Sequence, residues 1–106
     1  MTDILSVYNM DTIFILENDN LPVGQIRLDL HNGFYLIDFS VDLSLRGKGY
    51  GTRLIELVLK VKLKHPLRAK VKSSNLLSQK VFERTNFLKS GIEYINGSFF
   101  YLYDHI

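Results

Sequence analysis

The chain reads as an α+β domain: a mixed, mostly antiparallel sheet flanked by helices, in the order β-β-β-α-β-α-β-β. Three observations carry that reading. Apolar and polar residues alternate with period two before residue 42, Asn-Gly pairs separate such runs, and two later segments repeat near 3.6 residues. With 106 residues the expectation is a single domain, residues 1–106, able to bury one core. Hydrophobic content of 46% against 23% charged residues is ordinary for a soluble globular chain.

Thr12 to Glu17 is apolar and β-branched, a short strand. After Asn18-Asp19-Asn20, the run Val23 to Leu30 puts Gly24, Ile26, Leu28 and Leu30 on one face and Gln25, Arg27 and Asp29 on the other. His31-Asn32-Gly33 is a hairpin signal leading to a strand over Phe34 to Val41. Three antiparallel strands therefore precede the glycine-rich stretch at residues 46–51. Thr52 to Lys64 reads as a helix with Leu54, Ile55, Val58, Leu59 and Val61 inward, ended by His65-Pro66. Leu67 to Lys72 is a strand. Ser73-Ser74-Asn75 offers capping side chains for a helix from Leu76 to Thr85, with a stripe at Leu77, Val81 and Phe82. Asn86 suits the left-handed residue that ends such a helix. Ile92 to Ile95 and Ser98 to Tyr103 flank Asn96-Gly97, a two-residue hairpin turn.

The chemistry concentrates at Arg46-Gly47-Lys48-Gly49-Tyr50-Gly51, between a strand and a helix start. A turn of this kind presents backbone N–H groups and the positive helix end to phosphate. It is neither the dinucleotide fingerprint, since Gly47 to Thr52 reads G-x-G-x-G-T, nor a triphosphate loop, since no Gly-Lys-Ser/Thr occurs. Net charge of +2 gives no strong field for nucleic acid or an anionic membrane, and the alternating lysines from Lys60 to Lys72 read as a solvated face. No apolar run approaches a membrane span, and Met1-Thr2-Asp3-Ile4 is not the start of a signal peptide. The absence of cysteine excludes disulfides and thiolate chemistry and fits a reducing cytoplasm. Histidines 31, 65 and 105 have no metal-ligand spacing.

Two stretches together are similar to a known family. Val41-Asp42-Leu43-Ser44-Leu45-Arg46-Gly47-Lys48-Gly49-Tyr50-Gly51 is similar to V-x-P-x-x-R-G-x-G-x-G, with Leu43 in place of the proline. Some 24 residues beyond the glycine loop, Asn75 to Phe87 is similar to N-x-x-S/A-x-x-V/L-Y/F-E-K-x-G-F, with Arg84 and Asn86 in place of the lysine and glycine. In that order and separation they resemble the GNAT superfamily of N-acetyltransferases, over about Val23 to Phe87. Val23 to Asp29 and Ile37 to Val41 further resemble acetyltransferases acting on amino-sugar nucleotides.

The resemblance implies acetyl-CoA as cofactor and acetyl transfer to the primary amine of a small acceptor by direct attack on the thioester. It implies that amides from Arg46 through Gly47, Lys48, Gly49, Tyr50 and Gly51 to Thr52 hold the pyrophosphate. Phe39 and Val41 would lie at a bulged, splayed strand whose main chain pairs with the pantetheine arm. The Phe39 amide would polarise the thioester carbonyl. Asn75 would bond the arm, with Ser78 and Lys80 near the nucleotide. Plainer readings stand beside these: Asn75 capping a helix, Ser78 packing in its first turn, Lys80 solvated.

Two departures matter. Where the family often carries an acidic tyrosine, this chain has Phe82, which leaves Tyr101, Tyr103, water or no dedicated acid. Asp38 is the base candidate by chemistry, although strand parity puts it opposite Phe39. The second departure is length. Family members usually carry a strand and two helices before the strand at Thr12, and Asp3 to Met10 has room for one short helical remnant at most. The N-terminal strand and helices are thus expected to be shortened or missing. A CoA-binding or interaction module without turnover is the alternative, and a homodimer through the apolar segment Phe99 to Tyr103 is expected.

Overall fold

A computed structural model describes residues 3–7, 13–18, 21–41 and 49–106. Its elements are β1 (Asp3–Val7), β2 (Ile13–Asn18), β3 (Leu21–His31), β4 (Phe34–Val41), α1 (Tyr50–Leu59), β5 (Leu67–Lys72), α2 (Leu76–Arg84), β6 (Leu88–Ile95) and β7 (Ser98–His105). All seven strands form one sheet in the order β1-β2-β3-β4-β5-β7-β6. Every neighbouring pair is antiparallel except β4 and β5.

The α+β class and the later element order agree with the sequence reading, and three features correct it. Asp3–Val7 is a strand paired with β2 (Asp3 opposite Asn18, Val7 opposite Phe14), not a helical remnant. Four described strands therefore precede the glycine loop, the first of them only five residues long, in keeping with the shortened N-terminus expected. The helix expected to reach Lys64 stops at Leu59, where Lys60 and Val61 donate to Leu57 and Val58 in a tightened last turn. Lys60 to Lys64 alternates with period two. Val61 and Leu63 pack on the core in non-helical backbone while the lysines stay out.

The crossovers β4-α1-β5 and β5-α2-β6 both join parallel strands and step the same way along the sheet. Two right-handed crossovers in one direction put both helices on one face. Burial agrees: Ile26 and Leu28 on β3, Leu67, Ala69 and Val71 on β5, and Tyr103 on β7 lie buried with Leu54, Ile55 and Val58 of α1 and Phe82 of α2. The alternating residues Arg27, Asp29, Asp38, Lys70 and Lys72 are exposed on the other face. Among the described residues no helix covers that face. Leu77, expected inward, is 69% exposed, and the buried polar residue of α2 is Gln79. Asn86 (φ 68°) ends α2 left-handed, as expected.

Candidate functional site

β4 and β5 pair over three positions only, Tyr35 with Leu67, Leu36 with Arg68 and Ile37 with Ala69. β4 then continues to Val41 and β5 to Lys72 without meeting. The Tyr35 amide donates to the Pro66 carbonyl (2.8 Å), which fixes the parity of both strands. Successive residues of a strand aim their main-chain groups to opposite sides. Ile37, Phe39 and Val41 therefore face the β5 side, while β3 occupies the other edge of β4 throughout. From β5, Lys70 and Lys72 face back; Ser73, of opposite parity, donates to Phe99 on β7 (2.9 Å). The forked strands leave a cleft of about 250 Å³ lined by Asp38, Phe39, Lys72, Asn75, Ser78 and Phe82 among others. The expected bulge is absent: β4 keeps continuous register with β3 from Phe34 to Val41. The opening comes from β5 diverging.

The helix side of the fork is closed by apolar rings. Phe39 meets Phe82 edge to face (5.4 Å between centroids), and Phe82 also contacts Phe87 and Tyr103. The α1 N-terminus stands beside them, since a Cβ at Gly51 would lie 3.4 Å from the Phe39 ring and 3.5 Å from Val81. Both are ordinary contacts and the Gly51 φ is not positive, so the fold itself does not require glycine there. Gly49 differs: it is the α1 N-cap at φ 81°, ψ 6°, a left-handed conformation that costs other residues about 1 kcal/mol. Its carbonyl accepts from the Arg53 amide (3.0 Å). Among the described residues no side chain caps α1 and no acid sits in its first turn, so the helix end keeps its positive character. Tyr50 is buried in the core and Thr52 half-buried in that turn. Arg46, Gly47 and Lys48 lie outside the described residues, as does the Val41 side chain.

On the far wall Asn75 does cap α2: its Oδ1 accepts from the Ser78 amide (3.1 Å). Both residues line the cleft. Lys80 is exposed and does not line it. Asp38 lies on the helix-free face, as parity requires, 3.4 Å from Arg27, which holds Asp29 more closely at 3.0 Å. Tyr103, the expected catalytic acid, stands apart from the cleft. It is fully buried, does not line the cleft, and its hydroxyl donates to Glu83 (3.0 Å). Burial and that bond push its pKa up to about 12.

Sequence reasoning missed Gln79, whose Nε2 donates to the carbonyls of Ser73 (2.9 Å) and Lys72 (3.4 Å) and fastens the turn behind the cleft. A lone glutamine in a helix carries little signal. It also missed Lys70 and Lys72 as cleft residues, although the alternation of Leu67, Ala69 and Val71 assigns them to one face.

A strand pair that parts beside an uncapped helix N-terminus offers main-chain hydrogen bonds to an extended arm and a positive end to an anion. Such an arrangement on an α+β domain suits an extended, anionic ligand. The sequence signature of the acetyltransferase (GNAT) family matches residues 2–87, so the chain belongs to that family of N-acetyltransferase enzymes. No curated protein matches it significantly. Among solved structures it is similar to an N-acetyltransferase from Staphylococcus aureus (14% identity, 92% of this chain and 71% of that one, TM-score 0.78). It is also similar to a GNAT acetyltransferase from Bacillus cereus (23%, 91% and 70%, 0.79). A third is the ribosomal alpha-N-protein acetyltransferase RimL in complex with coenzyme A (19%, 89% and 60%, 0.71). At these identities the likeness establishes the fold.

Proposed function

We propose that the chain transfers the acetyl group of acetyl-CoA to the primary amine of a small acceptor, with an amino sugar as the leading candidate. The observation that carries this is the fork between β4 and β5 opening at Phe39 beside the α1 N-terminus. Gly51 fits a phosphorylated ligand because its missing Cβ is not demanded by the fold. The amides of Gly49, Tyr50, Gly51 and Thr52, with Arg46, Gly47 and Lys48 before them, would hold the pyrophosphate. Phe39 and Val41 would pair their main chain with the pantetheine arm, with Asn75 and Ser78 opposite.

The coenzyme would supply an activated acetyl thioester. The Phe39 N–H would donate to the carbonyl oxygen as negative charge develops there. Asp38 would take the proton of the incoming amine, directly or through water. No tyrosine lines the cleft among the described residues, and Phe82 cannot donate a proton. The thiolate would leave without a dedicated side-chain acid. That same observation favours a second reading, a coenzyme-binding module with little or no turnover.

Calorimetric titration with acetyl-CoA tests the first step. Micromolar binding, lost in the Gly49→Trp, Gly51→Trp variant, is expected. Acetyl transfer to any amine then separates the enzyme from the silent module, and no binding at all would refute both. A homodimer belongs to this proposal, supported by the exposed Ile92, Tyr94 and Phe99 on the outer hairpin.

A further inference from the structure

The two faces of the fork differ in chemistry. On the helix side Phe39, Phe82 and Val81 close over it. On the helix-free side its rims carry charge of opposite sign. The β4 rim presents Asp38, 70% exposed and only loosely held by Arg27, and the neighbouring Asp29 leaves that group with one carboxylate in excess. Opposite stand Lys70 and Lys72, which parity places on the same face as Asp38. Lys70 pairs with Glu93 at 3.4 Å. Lys72 lines the cleft and has no ion-pair partner among the described residues, so this rim has one ammonium in excess.

We infer that the acceptor enters from the helix-free face and is a primary amine that also carries an anionic group, with Asp38 receiving the amine and Lys72 the anion. This rests on the acetyl-CoA reading above and names the acceptor class for that site. An amine approaching a carbonyl held at the Phe39 amide meets packed rings from the helix side and the carboxylate of Asp38 from the other. Residues 38 and 39 are adjacent on an unbulged strand, so the base candidate and the oxyanion donor stand one residue apart. Lys72, three positions past the last β4–β5 pair against one for Asp38, sets the anion further along the same cleft. An acceptor with both charges satisfies both rims, whereas a simple amine leaves Lys72 unmatched and a simple anion is repelled by Asp38. A phosphorylated amino sugar has this form.

The test is calorimetry on the full chain loaded with coenzyme A, using glucosamine and glucosamine 6-phosphate as probes. The phosphorylated amine is expected to bind at least about tenfold more tightly. Lys72→Met should remove that advantage and leave acetyl-CoA affinity within about twofold, and Asp38→Asn should weaken both amines. Equal binding of the two probes, or binding of neither, overturns the inference while the coenzyme reading stands. If Lys72→Met instead weakens acetyl-CoA, the lysine serves the coenzyme and the inference also fails. An intact chain that binds no coenzyme A overturns both.

Discussion

Gly51 separates what the fold needs from what a ligand needs. A methyl group there meets Phe39 and Val81 at ordinary contact distance, and alanine is the better helix former. Gly51→Ala is therefore expected to leave stability unchanged or raise it by up to about 1 kcal/mol, while acetyl-CoA affinity falls about tenfold or more. Thermal unfolding and titration on one preparation check both halves. Gly49→Ala should instead lower stability by about 1 kcal/mol, because its backbone is left-handed. Tyr103 carries a different prediction. Its pKa is raised in the folded state to about 12, so its contribution is intact below pH 10 and is lost as pH rises from 10 towards 12. Tyr103→Phe should cost about 1 kcal/mol at neutral pH and flatten the alkaline limb of stability against pH in denaturant titrations. Gly49 and the capping Asn75 were legible because special backbone needs restrict residue type. The buried states of Tyr103 and Gln79 were not, since each depends on a partner on another element.

The helix-free face has its own anchor where β5 meets β7. Arg68 grips Asp104 with two bonds of 2.7 and 2.8 Å and lies over the Phe34 ring at 4.0 Å, tying β4, β5 and β7 together. The two hydrogen bonds from Arg68 hold the Asp104 carboxyl below its usual range, against the opposing effect of its burial. A carboxylate depressed in the folded state adds stability above its unfolded pKa of about 3.9 and loses it as pH falls through the lower folded value. Asp104→Asn should cost about 1–3 kcal/mol at neutral pH and little in strong acid, as acid-unfolding curves of the two proteins would show. Strand positions and hairpin turns were legible from alternation and Asn-Gly pairs. The end of α1 was misread because apolar residues at Val61 and Leu63 suit period two as well as a helix, and Pro66 marks only where a helix must already have stopped. Asp3–Val7 escaped because so short a strand is defined by its pairing with β2.

At the scale of the molecule, β6 is an outer strand with Leu88, Ile92 and Tyr94 exposed, and Tyr94 packs on Phe99 at 4.9 Å. A chain that leaves such an edge bare self-associates unless charge or cover prevents it. Sedimentation at tens of micromolar is expected to give a dimer, and Tyr94→Lys to shift it to monomer without loss of folding. The fold class and family were legible because two spaced motifs fix a βαβα core. The second face of the sheet was harder to read, since alternation says which residues are polar without saying what, if anything, lies over them.

The three-pair meeting of β4 and β5 makes the sheet two antiparallel blocks joined by a narrow seam. A ligand that hydrogen-bonds along both diverging edges would act as the missing strand between them, so part of the architecture would arrive with the substrate. The amides of Phe39 and Val41 should then exchange hydrogen quickly in the free protein and slow sharply once acetyl-CoA is bound. Saturation at a hundred times Kd would add about 2.7 kcal/mol to the stability of the whole sheet. Each release of product would return the molecule to its looser two-block form, which links turnover to the mechanical state of the seam.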